Sequence, residues 1–157
     1  MDKKTVETLF GKALAPRGFK KKGTTWYREA QGLLQVVNLQ KSSWGASFYV
    51  NLAFVPEGMS VEGMPRPKEY QCPIRIRLTS AYPDKKALIE RLLRYEDVEM
   101  SDEQRTAGIE GMFHDMVLPF MDRLQTVDDL KRAIEGGTFH NASVILVARK
   151  HLGLPPP

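Results

Sequence analysis

The sequence contains only one cysteine, Cys72, so no disulfide can form within the chain. This usage is typical of a reducing compartment, and we expect a cytoplasmic protein. No stretch approaches eighteen uninterrupted apolar residues, which predicts that no helix spans a membrane. The opening residues MDKKTVETLF have no apolar run behind their charges, so we expect no signal peptide.

Signatures of catalysis and metal binding are also lacking. The histidines, His114, His140 and His151, do not have the mutual spacing of a metal site. Gly108 and Gly111 lie in helical sequence and do not follow a strand, so no dinucleotide-binding loop is implied. We therefore predict no metal ligand, no cofactor and no catalytic residue, and we favour a protein without enzymatic activity.

The composition is that of an ordinary globular protein. Hydrophobic residues make up 42% and charged residues 27% of the 157 residues, which is enough for one core without disulfides or metals. We predict a single domain over residues 1–157, with a disordered tail at 154–157. The net charge of +4 permits an acidic partner or nucleic acid but requires neither.

The strand signals are concentrated in the first half of the chain. Segments with the residue types of β-strands lie at 24–29, 33–41, 47–55 and 74–79. The third segment alternates most clearly, because every second residue is apolar from Phe48 to Phe54. Such alternation is typical of a sheet with one buried face.

Helical periodicity predicts an N-terminal helix at 3–15 and three to four helices after the strands. Capping boxes at 101–104 and 126–129 open two of these helices, and Asn141 caps the last one. Because strands follow strands and helices follow helices, the fold class is α+β. We expect a four-stranded antiparallel meander sheet, with the N-terminal helix and the C-terminal helices packed on one face.

Polar residues alternate with the core positions along the predicted strands. We expect their side chains to lie on the uncovered face of this sheet. They include amides, a phenol and arginines, which suit the recognition of carboxylates or phosphates. With Arg28 or a neighbour contributed by the first strand, the predicted face consists of Arg28, Asn38, Gln40, Tyr49, Asn51, Arg75 and Arg77. The alternative is a polar face that serves only solubility.

Three further features border this face. Trp44, in the polar turn at 42–45, either folds back over the sheet edge as a structural anchor, which we favour, or is an exposed binding residue. Lys20–Lys22 form a basic loop at the entrance to the first strand. Residues 56–73 form a long irregular loop, and the sheet face is either open or covered by it.

Four short sequence motifs carry a resemblance to a known family. They are GFKKKG at 18–23, WYR at 26–28, QVVNLQKSSWG at 35–45 and FYVNL at 48–52. In this combination the chain resembles a bacterial family known as domain of unknown function 4304, over nearly its whole length. The resemblance implies a small bacterial domain with no established activity, and it supplies no catalytic residue. The four motifs include polar residues whose side chains we expect to face away from the core. These side chains form either a structural hydrogen-bond network or a contact with a ligand.

Three functions remain open. We favour a non-enzymatic binding or regulatory module that engages a protein partner with its polar sheet face, as a monomer or a small homo-oligomer. The alternative is nucleic-acid or nucleotide binding through Lys20–Lys22, Arg75 and Arg77. The third function is an enzyme with a site that no motif reveals. It requires Tyr49, Arg77 and an acidic residue to meet in a deep pocket.

Overall fold

The computed structural model describes residues 1–59 and 65–157. The helices are α1 (Lys3–Leu14), α2 (Leu78–Ala81), α3 (Lys86–Leu93), α4 (Asp102–Met112), α5 (Leu118–Arg123), α6 (Val127–Glu135) and α7 (Leu146–His151). The strands are β1 (Lys20–Lys22), β2 (Thr25–Ala30), β3 (Leu33–Lys41), β4 (Phe48–Pro56), β5 (Ile74–Arg77) and β6 (Ser143–Val144). A π-helical turn at Phe113–Val117 joins α4 to α5. Among the helices of the described ranges, none is long and apolar enough to cross a membrane.

The α+β class and the antiparallel meander are confirmed, but the predicted number of four strands is wrong. The described residues form one open sheet of six strands, in the order β1-β2-β3-β4-β5-β6. Lys20–Lys22, predicted as a loop, is the first edge strand and pairs with β2. Three consecutive lysines give no strand signal of their own, and β2 supplies their hydrogen-bonding partners. Lysines at a sheet edge discourage another chain from adding a strand there.

The other edge strand lies where the last helix was predicted to begin. Val144 pairs with Ile74, and Ser143 pairs with Arg75. Helix α7 starts only at Leu146, so Asn141 does not cap it and that prediction is wrong. The pairing joins residues that lie about seventy positions apart, which is why the local pattern around Asn141 did not indicate it.

The two faces of the sheet differ in what covers them. The face that packs against the helices, called the inner face here, carries Trp26, Leu39, Phe48, Val50, Leu52, Phe54 and Ile76. Phe10 of α1, for example, lies against Trp26 with 5.9 Å between the ring centroids. The predicted packing of helices on one face is therefore confirmed. Leu154, which was assigned to a disordered tail, is buried in the same core.

Local hydrogen bonds fix the helices that follow the sheet. Both predicted capping boxes are confirmed, at the starts of α4 and α6. The sequence did not point to Arg105, which is fully buried. Its guanidinium donates to the backbone carbonyls of Arg91 at 2.9 Å, Leu92 at 2.8 Å and Asp97 at 2.8 Å. These bonds close the end of α3 and hold the loop that follows it.

Candidate functional site

The outer face of the sheet, opposite the helices, has an apolar half and a polar half. The apolar half consists of Tyr27, Val36, Ala53, Val55 and Cys72. The described part of the predicted 56–73 loop lies over it, since the Tyr27 hydroxyl donates to the Pro67 carbonyl at 2.8 Å. Burial raises the pKa of Cys72 to about 12. Residues 60–64 of that loop lie outside the described residues.

The polar half is a network of side chains centred on Asn51. Its amide nitrogen donates to the Asn38 oxygen at 3.1 Å and to the Gln40 oxygen at 2.9 Å. Its oxygen accepts from Arg77 Nε at 3.2 Å. The Arg77 guanidinium lies 4.1 Å from the centre of the Tyr49 ring. The predicted polar positions therefore form a hydrogen-bond network across β3, β4 and β5.

A second arginine on this face already holds a carboxylate. Arg75 donates to Glu69 through Nε at 2.7 Å and through Nη2 at 3.2 Å, a two-pronged contact. Glu69 reaches it from the short turn Glu69–Gln71 and is only 6% exposed. The hydrogen bond that Arg75 donates to Glu69 is the main reason that the pKa of Arg75 is raised. This ion pair fastens the loop to the polar half of the sheet.

A concave site lies where the polar half meets the loop, and we call it the cationic cleft. Its cavity volume is about 730 Å³. Its cationic lining residues are Lys22, Lys41, Arg66, Lys68 and Arg75. The polar side chains Thr25, Asn38, Gln40 and Tyr70 also line it. Among the described residues, five cations therefore surround one carboxylate, that of Glu69.

Most of these cations have no carboxylate partner in the part of the chain that the structure describes. Across residues 1–59 and 65–157, Arg75 is the one cleft cation with a carboxylate partner. Arg66 lies over the Tyr27 ring at 5.9 Å, and Lys68 lies over the Tyr70 ring at 5.8 Å. Such cation–π contacts orient a cation without removing its charge. The cleft therefore presents a positive field that an anionic group can enter.

The structure brings six of the eight predicted site residues together on the outer face. Asn38, Gln40 and Arg75 line the cationic cleft. Asn51 and Arg77, with Arg75 and Glu69, line a neighbouring cavity of about 250 Å³. Tyr49 lies beside them under Arg77. The remaining two residues, Arg28 and Trp44, lie elsewhere.

Arg28 lies on the inner face, so its predicted place on the outer face is wrong. It pairs with Gln35 across the strands and donates to the Gln35 side-chain oxygen at 2.8 Å. Its Nη2 contacts Asp122 of α5 at 3.0 Å. Gln35 in turn donates to the carbonyls of Met121 and Leu124, both at 2.7 Å. Arg28 therefore belongs to a structural clamp between the sheet and the end of α5.

Trp44 is 94% exposed, so the favoured interpretation as an anchor over the sheet edge is wrong. The turn is held by its own polar groups. The Ser42 hydroxyl accepts from the Trp44 backbone at 3.1 Å, and Ser42 N donates to the Ser47 carbonyl at 2.9 Å. These bonds hold the turn in place, and the indole faces solvent.

The residues assigned to the nucleic-acid hypothesis are only partly brought together. Lys22 and Arg75 line the cationic cleft. Lys21 points to the inner side, with Nζ 5.7 Å from the centre of the Trp26 ring. The convergence required for an enzyme is incomplete, because Arg77 and Glu69 share the smaller cavity but Tyr49 is not among the described residues lining it. Within the described ranges, no group of three histidine, cysteine or acidic residues could hold a metal ion.

Sequence reasoning missed the loop side of the cleft. Arg66, Lys68, Glu69 and Tyr70 belong to one run, RPKEY, inside a segment interpreted only as irregular loop. Charged and aromatic residues placed so closely in a long loop are a signal of a functional loop. Their position over the sheet could not be read from that signal, since it depends on the contact between Tyr27 and Pro67.

Comparison with known proteins adds one finding. The model of a family described as Domain of unknown function (DUF4304) matches residues 10–123. That range contains all residues that line the cationic cleft. Neither a curated protein nor a solved structure matches the chain.

Proposed function

The chain belongs to the DUF4304 family, and we propose that it is a non-enzymatic binding module whose cationic cleft engages an acidic segment of a protein partner. The observation that carries the proposal is the set of five cations around one cleft, of which Arg75 alone has a carboxylate partner among the described residues. An acidic segment would satisfy the other four. Charge complementarity of this kind raises association rates and selects partners.

The pair of Arg75 and Glu69 supports a carboxylate as the ligand group. It is a carboxylate bound at the edge of the cleft, by two hydrogen bonds from one guanidinium. Lys22 of β1 and Lys68 of the loop line the same cavity. A partner's acidic side chains would meet charged N–H donors, the lysine ammonium groups, at these positions.

Gln40 adds a side-chain amide to the cleft. Its side-chain oxygen accepts from Asn51 and Arg77, at 2.9 Å and 3.2 Å. Its side-chain nitrogen has no acceptor among the described residues, and Gln40 is one of the residues that line the cavity. An amide nitrogen oriented by its own oxygen suits a peptide carbonyl, so a polypeptide ligand uses both the charges and the amides of this surface.

The aromatic residues disfavour a single-stranded nucleic acid. Such ligands stack their bases on several exposed aromatic rings. Here Tyr27 is buried, and Arg77 covers Tyr49. Tyr70, which is 63% exposed, is the one ring at the cleft that a base could reach within the described structure. One ring beside Lys68 favours a mononucleotide as the second candidate ligand.

Fluorescence anisotropy with a labelled oligoglutamate peptide tests the proposal. We expect salt-sensitive binding to the wild type, and about tenfold weaker binding to Lys22→Glu/Lys68→Glu, because two cations of the cleft are reversed. The control variant, Lys3→Glu/Lys4→Glu, changes the net charge equally on exposed positions of α1. Equal loss in both variants would mean that net charge alone attracts the peptide and would refute the cleft as the site.

Parallel titrations distinguish the ligand classes. Labelled oligodeoxythymidine and labelled ATP are measured against the same two variants. Cleft-dependent binding of ATP that also needs Tyr70, tested with Tyr70→Ala, would replace the peptide by a nucleotide. If none of the three probes binds in a cleft-dependent manner, the proposed function is wrong.

A further inference from the structure

Two apolar side chains stand almost completely in solvent at one end of the sheet. Trp44 is 94% exposed and Val98 is 93% exposed. Trp44 lies in the β3–β4 turn, and Val98 lies in the loop 94–101 between α3 and α4. The two loops are joined, because Tyr95 N donates to the Ala46 carbonyl at 3.2 Å and Arg94 forms a β-bridge with Ser47. These apolar groups therefore belong to one surface, which we call the hairpin tip.

Hydrogen bonds and one ring contact hold both loops in place. The Ser42 hydroxyl accepts from the Trp44 backbone, and the buried Arg105 donates to the Asp97 carbonyl at 2.8 Å. The Tyr95 ring packs against Phe48 with 5.2 Å between the centroids. A preformed surface loses little entropy when a partner covers it, and tryptophan is enriched among residues that dominate binding energy.

The two sides of the hairpin tip carry opposite charges. On the β3 side lies the end of the cationic cleft, where Lys41 and Lys22 are exposed. On the β4 side lies the loop 94–101, which begins with the exposed Arg94 and then carries Glu96, Asp97 and Glu99, so its net charge is negative. Glu96 and Glu99 are exposed and have no cationic partner among residues 1–59 and 65–157. The surface therefore runs from positive through apolar to negative.

We propose that a second copy of this chain covers the hairpin tip in a closed two-fold dimer. Turning a copy by half a turn about an axis perpendicular to the sheet places its acidic loop opposite the first copy's lysines and its own lysines opposite the first copy's acidic loop. The two Trp44 side chains then meet near the axis. A surface that is complementary to itself in this way is what a two-fold interface requires. The inference uses the charge of the cleft and does not depend on the cleft's having another ligand.

Sedimentation velocity over a series of concentrations tests the apolar centre. We expect a reversible monomer–dimer equilibrium with no larger species, and a dimer that weakens with salt. Trp44→Ala should lower the association constant roughly tenfold or more, because the indole is the centre of the interface. Its far-ultraviolet circular dichroism should equal that of the wild type, since the indole contacts solvent in the single chain. A wild type that stays monomeric, or a Trp44→Ala dimer as strong as the wild type, overturns the proposal.

A charge exchange tests the two-fold arrangement. Lys41→Glu and Glu99→Lys should each weaken dimerisation, because each places like charges opposite one another in both contacts. An equimolar mixture of the two variants should recover the dimer, since both contacts in the mixed pair are again between opposite charges. A mixture that remains monomeric overturns the proposal, and so does the growth of open polymers, which would indicate a head-to-tail contact.

Discussion

Two amides in the middle of the sheet are almost equally hidden from solvent but are held in different ways. Gln35, on the inner face, is 0% exposed, and Asn51, on the outer face, is 4% exposed. Gln35 donates to two backbone carbonyls at the end of α5. Asn51 exchanges hydrogen bonds with the side chains of Asn38, Gln40 and Arg77. The first amide joins two layers of the protein, and the second joins neighbouring strands.

The two amides differ in which groups would lose a hydrogen-bonding partner if the amide were removed. The Leu124 carbonyl lies beside the core and has no other donor among the described residues, so it depends on Gln35, whereas the Met121 carbonyl also accepts from Leu124 N at 3.2 Å. The partners of Asn51 are side chains at the edge of two cavities, where water can replace a lost bond. Fractional burial alone therefore does not rank these residues by their contribution to stability. We infer that the inner amide serves the fold and that the outer network is free to serve recognition.

The largest expected effect is that of Gln35→Leu. Because it leaves the Leu124 carbonyl and Arg28 Nε without this partner and removes one donor from the Met121 carbonyl, we expect the free energy of unfolding to fall by about 3 kcal/mol. Urea denaturation monitored by circular dichroism measures it. The matched control is Gln40→Leu, the same substitution at an exposed position of the same strand, which should change stability by about 0.5 kcal/mol or less. Equal effects at the two positions would remove the distinction between the faces.

Asn51→Leu should cost less, about 1 kcal/mol, because its side-chain partners can turn to water. The same substitution should weaken the binding of the oligoglutamate peptide, since Asn51 orients the Gln40 oxygen and the Arg77 guanidinium. Urea denaturation and fluorescence anisotropy measure the two quantities on one sample. A stability loss as large as that of Gln35→Leu would mean that the outer network is structural.

The smallest effect on stability at neutral pH concerns the covered half of the outer face, because it appears only above pH 9.0. Burial, followed by the charge of Glu69, raises the pKa of Cys72 from 9.0 to about 12. A raised folded-state pKa favours folding while the thiol is protonated, so this contribution is complete below pH 9.0 and is lost as the pH rises toward about 12. We expect a gradual decline of the urea midpoint over that interval.

Alkylation gives an independent measure of the same thiol. At pH 9.0, iodoacetamide should modify native Cys72 roughly several hundred times more slowly than the unfolded chain, because so little thiolate is present. The control variant Cys72→Ser/Ser43→Cys moves the thiol to the exposed turn and should react rapidly while folded. Fast alkylation of native Cys72 would show that the loop does not keep the apolar half dry.

The alternation of residue types predicted the outer face well within β3, β4 and β5. Asn38, Asn51 and Arg77 share one row across these strands, as their pairing confirms. Alternation settles which residues share a side, because successive side chains of a strand point to opposite faces. It failed for Arg28, since the face of a given residue also depends on the register with the next strand. That register places Arg28 beside Gln35.

The remaining differences come from contacts between distant parts of the chain. β1 and β6 are strands because β2 and β5 pair with them, and neither has a strand signal in its own sequence. The loop side of the cleft was missed for the same reason, since Tyr27 and Pro67 lie forty residues apart. Helix caps were predicted correctly, because a capping box depends only on residues three positions apart.

The sequence by itself determined the α+β class, the helix caps and the separation of core from polar positions along β3 and β4. These properties follow from side-chain periods and from hydrogen bonds between near neighbours, which the order of residues already contains. Only the tertiary structure decided that Arg28 clamps the inner face, that Trp44 stands in solvent and that loop cations meet sheet amides at one cleft. Those outcomes depend on strand register and on how layers pack, which are set by the whole chain folding at once.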